Sequence, residues 1–412
     1  MRFSPLRHAG FRWFFFGQTV SLSGSAMAPV AVAFAVLDAS GSIGQLGVVL
    51  VARTVPMLAF LLIGGAMADR YSRRTVLLVT NAGSALTQGS VAVLLLTGHY
   101  WLPAVALLEC GNGVLAAFTT PALRGVVSDL VDKSQLRQAN SLLGMARNAT
   151  KILGPGAAGV IVATVGSGAA IAGDAASFLA AAVCLARLPL ATPVTSAARS
   201  LLAEIGEGWA QFRSTPWIWT VTVAFFVVNL VLTGSWQILG PALTKHLSGE
   251  QLWGFVLSAR GLGMLLMSAL MSRLLMGHLL RFGLLMGVLS ALPMIALGAH
   301  LAPSWLIIAA FVGGAGMSAL AISWDTSLQE HVPEHTISRV SSYDNLLSYA
   351  AIPIGQSCIG PLSGTLGGFH VALVTGILAA AAALAPLAST AVRRLPHALP
   401  ERSPSEPTPI TS

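Results

Sequence analysis

The sequence predicts an all-α integral membrane protein with twelve transmembrane helices in two six-helix halves. Three observations lead there. Apolar runs of about 20 residues, each enough to cross a hydrocarbon core of roughly 30 Å as a helix, recur along nearly the whole chain. Of its 412 residues 55% are hydrophobic and only 9% charged, with a mean hydropathy of +0.76, far outside the range of a soluble domain. The short alternating segments of a β-barrel are absent.

The apolar runs place the spans at 13–36, 44–67, 75–96, 101–121, 141–165, 169–188, 217–239, 253–272, 282–299, 304–325, 342–366 and 370–391. Short connections carrying Gly, Pro, Ser or His, such as 38–44 and 98–103, make neighbouring helices antiparallel. The first run follows Arg2, Arg7 and Arg12. It is too long for a signal-peptide core and has no small-residue cleavage site, so it reads as a retained span. With the N-terminus cytoplasmic, eighteen of the 23 Lys and Arg fall in cytoplasmic segments or, for Arg187, at the cytoplasmic edge of a span, four fall in span interiors, and only Lys245 falls outside. The positive-inside rule then puts both termini in the cytoplasm. The net charge of +8 is accordingly a set of topology signals. It is not the basic stripe of a nucleic-acid-binding surface, and no nucleic-acid partner is expected. Cys110, Cys184 and Cys358 all lie in apolar runs and read as small hydrophobes, with no disulfide or metal framework.

The expected organisation is an N-terminal six-helix bundle over 1–188, a cytoplasmic linker over 189–216, a C-terminal bundle over 217–391 and a disordered cytoplasmic tail over 392–412. The linker opens with Pro189 and Pro193 and sets Leu201, Leu202, Ile205, Trp209 and Phe212 on one helical face, the pattern of an interfacial amphipathic helix. A faint internal repeat has an offset of 201. Residues 113–131 run parallel to 314–332, and Gly154 falls on Gly355. Such a repeat fits the parallel halves of a transporter.

Ionisable groups inside hydrocarbon cost at least a few kcal/mol and need partners or water. The reading places Arg53 in span 2, Glu109 in span 4, Arg147 and Lys151 in span 5, Asp174 in span 6 and Arg260 in span 8. At 1.5 Å per residue Arg53 and Glu109 sit at equal depth and are expected to pair. The pair is either a static clamp between helices or a site where Glu109 accepts protons under the influence of Arg53. Arg147 and Lys151, four apart, share a helix face. Arg147 reads as snorkelling to the interface, and the deeper Lys151 as a substrate contact. Asp174, near the outer end of its span, reads as interfacial, and Arg260 as either structural or cavity-lining. Asn229, Gln237, Trp236, Trp324 and Tyr349 are either contacts for an aromatic or amphipathic substrate or packing residues. Gly154-Pro155 and Gly360-Pro361 interrupt helices, removing a backbone hydrogen bond and permitting bending. No metal-protease, Walker or nucleophile-elbow motif occurs, so no enzyme activity, metal or cofactor is expected.

The segment GGAMADRYSRRTVL, between spans 2 and 3, concentrates charge in an otherwise apolar chain. Gly65, Asp69, Arg70, Arg73 and Arg74 resemble the G-x-x-x-D-R-x-G-R-R signature of the major facilitator superfamily, with Ser72 in place of the second glycine. The stretches FRWFFFGQTVSLSG, FTTPALRGVVSDLV, LRQANSLLGMARNATKILGP and EIGEGWAQF are similar to the branch containing macrolide-efflux and enterobactin-exporter proteins. The resemblance runs over about residues 11 to 390, is weaker after Trp217 and stops before the tail that begins at Pro396. It implies the major facilitator fold and a secondary transporter working by alternating access. The implied activity is proton-coupled efflux of a small hydrophobic or amphipathic compound, an antibiotic or siderophore. The implied setting is a monomer in a bacterial inner membrane, with the bilayer, protons and a small molecule as partners. An uptake carrier or uniporter, and a lysophospholipid flippase, remain open on the same fold.

The resemblance also assigns roles. Gly65, Asp69, Arg70, Arg73 and Arg74 become a gate latch, in which Asp69 meets Arg73 and the positive N-terminal end of span 11 near Ser341 and Ser342. Gly154 and Pro155 become determinants of export. Three departures stand against it. Ser25 replaces the acid that many relatives carry after the first-helix glycine, Ala158 replaces a glycine in GPGAAG, and residues 272–282 have lost the acid of the equivalent second-half loop.

Overall fold

The computed structural model describes residues 4–70, 72–131, 135–188, 209, 212–271, 273–274, 277–332 and 334–396. Among them the chain is helical and contains no strand. The long helices are α1 (Ala9–Ser40), α2 (Ile43–Arg70), α3 (Arg73–Leu96), α4 (Leu102–Leu130), α5 (Leu136–Val165) and α6 (Ser167–Ala186). They continue as α7 (Pro216–Ser248), α8 (Glu250–Met271), α9 (Leu279–Gly298), α10 (Pro303–His331), α11 (Glu334–Leu366) and α12 (Gly368–Ala388). Ten of these are long and apolar enough to cross a membrane. The other two, α5 and α11, are long enough at 30 and 33 residues but carry more polar side chains.

Local sequence chemistry sets the helix ends. Gly41 closes α1 in the left-handed conformation (φ 63°), where a side chain would be strained. Prolines occupy the first turns of α4, α7 and α10, where their missing N–H costs nothing. Ser72 caps α3, its hydroxyl accepting from the Thr75 N–H at 3.1 Å. The place of the expected glycine is thus filled by a residue that starts the next helix.

Several helices run past the spans read off the sequence, and three of the departures are structural. α7 continues to Ser248 through a π segment, Asn229–Thr233, so the connection to α8 is a single turn at Gly249. α9 tightens to a 3-10 turn over Val288–Ala291, immediately before Pro293, which cannot donate to an α-helical ladder. α11 begins at Glu334, eight residues earlier than expected.

α1 packs on α5 and α6, α2 on α4, and α3 on α4 and α6. In the second set α8 and α9 pack on α10, α9 on α12, and α11 on α7 and α12. The sets meet along α5–α8 and α2–α11.

Their apolar cores are joined at one end and separate at the other. At the end where α1 finishes, called the upper end here, one buried core joins Val30–Leu37 of α1 to Trp236–Leu243 of α7 and Leu252, Trp253 and Val256 of α8. At the opposite, lower end there are two cores. One, around Phe11, Phe14, Leu77 and Val126, belongs to the first set; the other, around Trp217, Leu280, Trp324 and Leu328, belongs to the second. Among the described residues, burial of apolar surface therefore joins the sets above and forms a separate core in each set below. Lys245 of α7 adds a polar clasp to the closed end, pairing with Asp38 of α1 and with Glu250 of α8, the latter at 3.5 Å.

The expected linker residues 189–208 and the tail from 397 lie outside the described residues. Trp209 and Phe212, at the linker's end, stack on each other and meet the Tyr343 ring of α11 at a tilt.

Candidate functional site

Between the two sets lies a cavity of about 800 Å³. Its volume suits a drug-sized ligand. Five charged side chains line it: Arg53 and Glu109 from the first set, and Arg260, Asp325 and Asp344 from the second.

Arg53 of α2 donates to Glu109 Oε2 of α4 at 3.4 Å, and the Glu109 side chain is wholly buried. Its other oxygen accepts from Gln88 Nε2 of α3 at 2.9 Å. Two donors on two oxygens keep this carboxylate from being an orphan in a low-dielectric interior. The helices carrying the pair touch at Gly113, where a Cβ would stand 2.2 Å from the Arg53 carbonyl oxygen. Only glycine fits there, and that close approach sets the depth at which the two charges meet. Nearby, Ser84 donates to Asn112 Oδ1 at 3.1 Å between α3 and α4.

Asp174 is not interfacial as expected. It lies seven residues into α6, about 10 Å along the helix, and is 1% exposed. It packs where Gly24 brings α1 close, and its Oδ1 is a buried oxygen without a hydrogen-bond partner. The length of the apolar run hid this, because α6 starts at Ser167 and the residue faces α1 rather than the helix end.

Arg260 has different surroundings from Arg53. Its guanidinium lies 4.8 Å from the centre of the Trp236 ring and donates to Met317 Sδ at 2.8 Å. Trp236 in turn leans on Trp253, with ring centres 4.6 Å apart. Among the described residues no carboxylate pairs with Arg260. The other α7 candidates also line the cavity. Asn229, in the π segment, donates to the Ser348 carbonyl at 3.1 Å, and Gln237 accepts from Gln356 Nε2 at 2.6 Å. The widened π turn carries Asn229 toward α11, a common use of such segments.

Sequence reasoning missed the two acids of the second set. Asp344 of α11 is 6% exposed and accepts from Thr222 Oγ1 at 2.7 Å and from Trp324 Nε1 at 2.9 Å, with Ser348 Oγ at 3.5 Å. Asp325 of α10 is exposed to the cavity. Both fall inside the spans read from the sequence, at the last residue of 304–325 and the third of 342–366, positions at the span ends that the reading left without a role. Both helices extend beyond those limits, Asp325 lying six residues and Asp344 ten residues inside its helix.

Pro155 lines the cavity, while Gly154 is buried where a Cβ would stand 2.5 Å from that of Ala26, fixing the approach of α5 to α1. Lys151 and Arg147 lie one and two turns from Pro155 on the same stripe; both are exposed and neither lines the cavity. The side chains of Gly65, Asp69, Arg70 and Arg73 lie outside the described residues. Arg74 donates to the Ala186 carbonyl at the end of α6, binding the start of α3 to its neighbour. The expected meeting of Asp69 with a helix N-terminus near Ser341 needs correction. α11 already begins at Glu334, and the helix dipole acts within the first turn, so Ser341 is no longer at a positive end.

This arrangement of a polar cavity between two helix sets has counterparts among known proteins. A family model described as "Transmembrane secretion effector" matches residues 1–409. The chain belongs to this family, within the major facilitator superfamily. It is 29% identical over 368 residues to the multidrug efflux pump Tap of Mycolicibacterium fortuitum, covering 84% of this chain and 87% of Tap. It is 27% identical over 379 residues to the enterobactin exporter EntS of Citrobacter koseri, covering 90% and 89%. Its fold matches the crystal structure of the nucleoside transporter NupG with a TM-score of 0.72 at 12% identity, covering 94% of this chain and 99% of that one. The transmembrane secretion effectors are multi-pass membrane transporters of small molecules, not enzymes.

Proposed function

We propose that this transporter is a proton-coupled exporter of a small hydrophobic or amphipathic compound, an antibiotic or a siderophore. The observation that carries the proposal is Glu109, a wholly buried carboxylate that borders the cavity and is tied to Arg53. A carboxylate held in that position can exchange a proton with the cavity when the cavity is wet and release it when Arg53 closes on it. The names of Tap and EntS support the outward direction of transport.

In this reading all twelve long helices span a bacterial inner membrane as two halves, 1–188 and 217–391, in a monomer with both termini cytoplasmic. The lower end then faces the cytoplasm, and the joined upper core with the Asp38–Lys245–Glu250 clasp closes the outside. The halves rock about the cavity. The loop bearing Gly65, Asp69, Arg70, Arg73 and Arg74 closes the inner side in the opposite state, Gly154 and Pro155 supply the bend, and Lys151 and Arg147 stand at the inner mouth. Inside-out vesicles test the whole reading. Accumulation of a candidate drug should depend on ΔpH and collapse with an uncoupler. Glu109→Gln should remove the ΔpH dependence, and full ΔpH-driven transport in that variant would refute the coupling role.

A further inference from the structure

The two helix sets repeat an arginine but not its partner. Gly113 of α4 lies on the Arg53 carbonyl, and Gly314 of α10 lies on the Arg260 carbonyl; a Cβ would stand 2.2 Å and 2.0 Å from those oxygens. Gly314 is 201 residues after Gly113, the same offset as the internal repeat. Four residues before Gly113 stands Glu109, which pairs with Arg53. Four residues before Gly314 stands Ala310, which is fully buried. The second set keeps an arginine whose carbonyl meets the equivalent glycine, and has an alanine where the first set has the counter-ion.

A cation in mid-membrane needs an anionic partner or water. Arg260 is the eleventh of 22 residues in α8, so it lies at the helix centre. Its neighbours are the face of Trp236 and the sulfur of Met317, neither of which carries a negative charge. Trp236 is held from behind by Trp253, giving a rigid aromatic platform beside the charge. Gln356 lines the same cavity and is 1% exposed, and its buried Oε1 has no hydrogen-bond partner. That acceptor is available to a donor on a bound molecule.

We propose that Arg260 is an anion-binding residue of the cavity, and that the transported class is aromatic or amphipathic molecules bearing a carboxylate or comparable oxyanion. The anion takes the guanidinium position that Glu109 fills for Arg53, and the apolar body lies against Trp236. Asp325 does not reverse this preference. It is exposed, six residues from the end of α10, where hydration holds its charge at lower cost than at the helix centre.

The inference rests on the reading of this cavity as the substrate site, but its test needs neither a gradient nor a direction. The full chain in lipid nanodiscs is titrated with N-dansyl-phenylalanine, its methyl ester and dansylcadaverine, an acid, a neutral and a cationic probe on one fluorophore. Saturable Trp-to-dansyl energy transfer, above that of empty nanodiscs, is the readout. The acid should bind about 10- to 100-fold tighter than the ester, the range of a charge-assisted hydrogen bond. Arg260→Met should bring acid and ester to parity, and Arg260→Lys should retain part of the preference. Ala310→Glu, which supplies the missing counter-ion, should also level them while leaving Arg260 in place. Equal binding of acid and ester, preference for the amine, no saturable binding of the acid, or an unchanged preference in Arg260→Met would each overturn the proposal. Acid preference without ΔpH-driven export would instead sink the exporter reading alone.

Discussion

Gly314 sits directly on the backbone of Arg260: a Cβ built on the glycine would stand 2.0 Å from the arginine carbonyl oxygen. The obstacle is main chain, which cannot swing aside as a side chain can. Gly314→Ala must therefore push α8 and α10 apart, at a cost in the overpacking range of about 1–3 kcal/mol or more. The expected result is a lower melting temperature in detergent. Gly277→Ala, at a glycine with open space around it, should leave melting unchanged. Equal melting of the two variants would show that the helices slide past the clash.

Asp344 holds α7, α10 and α11 together through Thr222, Trp324 and Ser348. Asp344→Asn turns one acceptor into a donor facing other donors and should cost about 1–3 kcal/mol. Trp324→Phe keeps the ring contacts to Trp217 and Phe225 but loses the N–H. The double variant should be less destabilised than the sum of the singles, because both remove the same hydrogen bond. Strict additivity in thermal denaturation would mean that the bond contributes nothing.

How much of this was legible in the sequence depends on the range of the force involved. Apolar runs and their flanking arginines report local partitioning into a bilayer, and the helices lie where those runs put them. Arg53 and Glu109 could be matched because helical rise converts sequence position into depth. The burial of Asp174 could not, since it depends on which face α6 turns toward α1, a tertiary choice. Asp325 and Asp344 were hidden by span limits set a few residues short, because polar residues near the end of an apolar run resemble interface residues. Ser72 read as a departure from a glycine signature, while its cap on α3 needed only the local pattern of Ser followed by Thr75. The isolation of Arg260 was within reach. The offset of 201 sets Ala310 against Glu109, but the comparison has meaning only once Gly113 and Gly314 are seen on equivalent carbonyls.

Glu109 accepts from both Arg53 and Gln88, so the two donors can be separated by substitution. Gln88→Leu removes a neutral donor and leaves the ion pair, whereas Arg53→Met leaves a buried carboxylate with one neutral donor. Loss of the charge partner should be the more damaging, since breaking a buried pair costs about 3–5 kcal/mol against about 1 kcal/mol for a neutral hydrogen bond. Arg53→Met should therefore slow ΔpH-driven vesicle transport more than Gln88→Leu does. Equal transport in the two variants would leave the pair as a static clamp.

Lys245 bridges Asp38 and Glu250 across the closed upper end, with a third of its side chain exposed. A half-exposed pair of this kind contributes about 1 kcal/mol or less. It cannot hold the end shut alone; the joined apolar core beneath it does most of that. Lys245→Met should therefore tilt the conformational balance rather than abolish it. One kcal/mol is about a fivefold change in an equilibrium constant. The check is a cysteine at Val49, a buried cavity-lining position under the clasp, in a background lacking Cys110, Cys184 and Cys358. A membrane-impermeant maleimide applied from the outside should label it up to about fivefold faster in Lys245→Met, following that equilibrium. Asp38→Asn should give a smaller increase, since Glu250 still engages the lysine. Unchanged labelling in both would assign closure of this end to the apolar core alone.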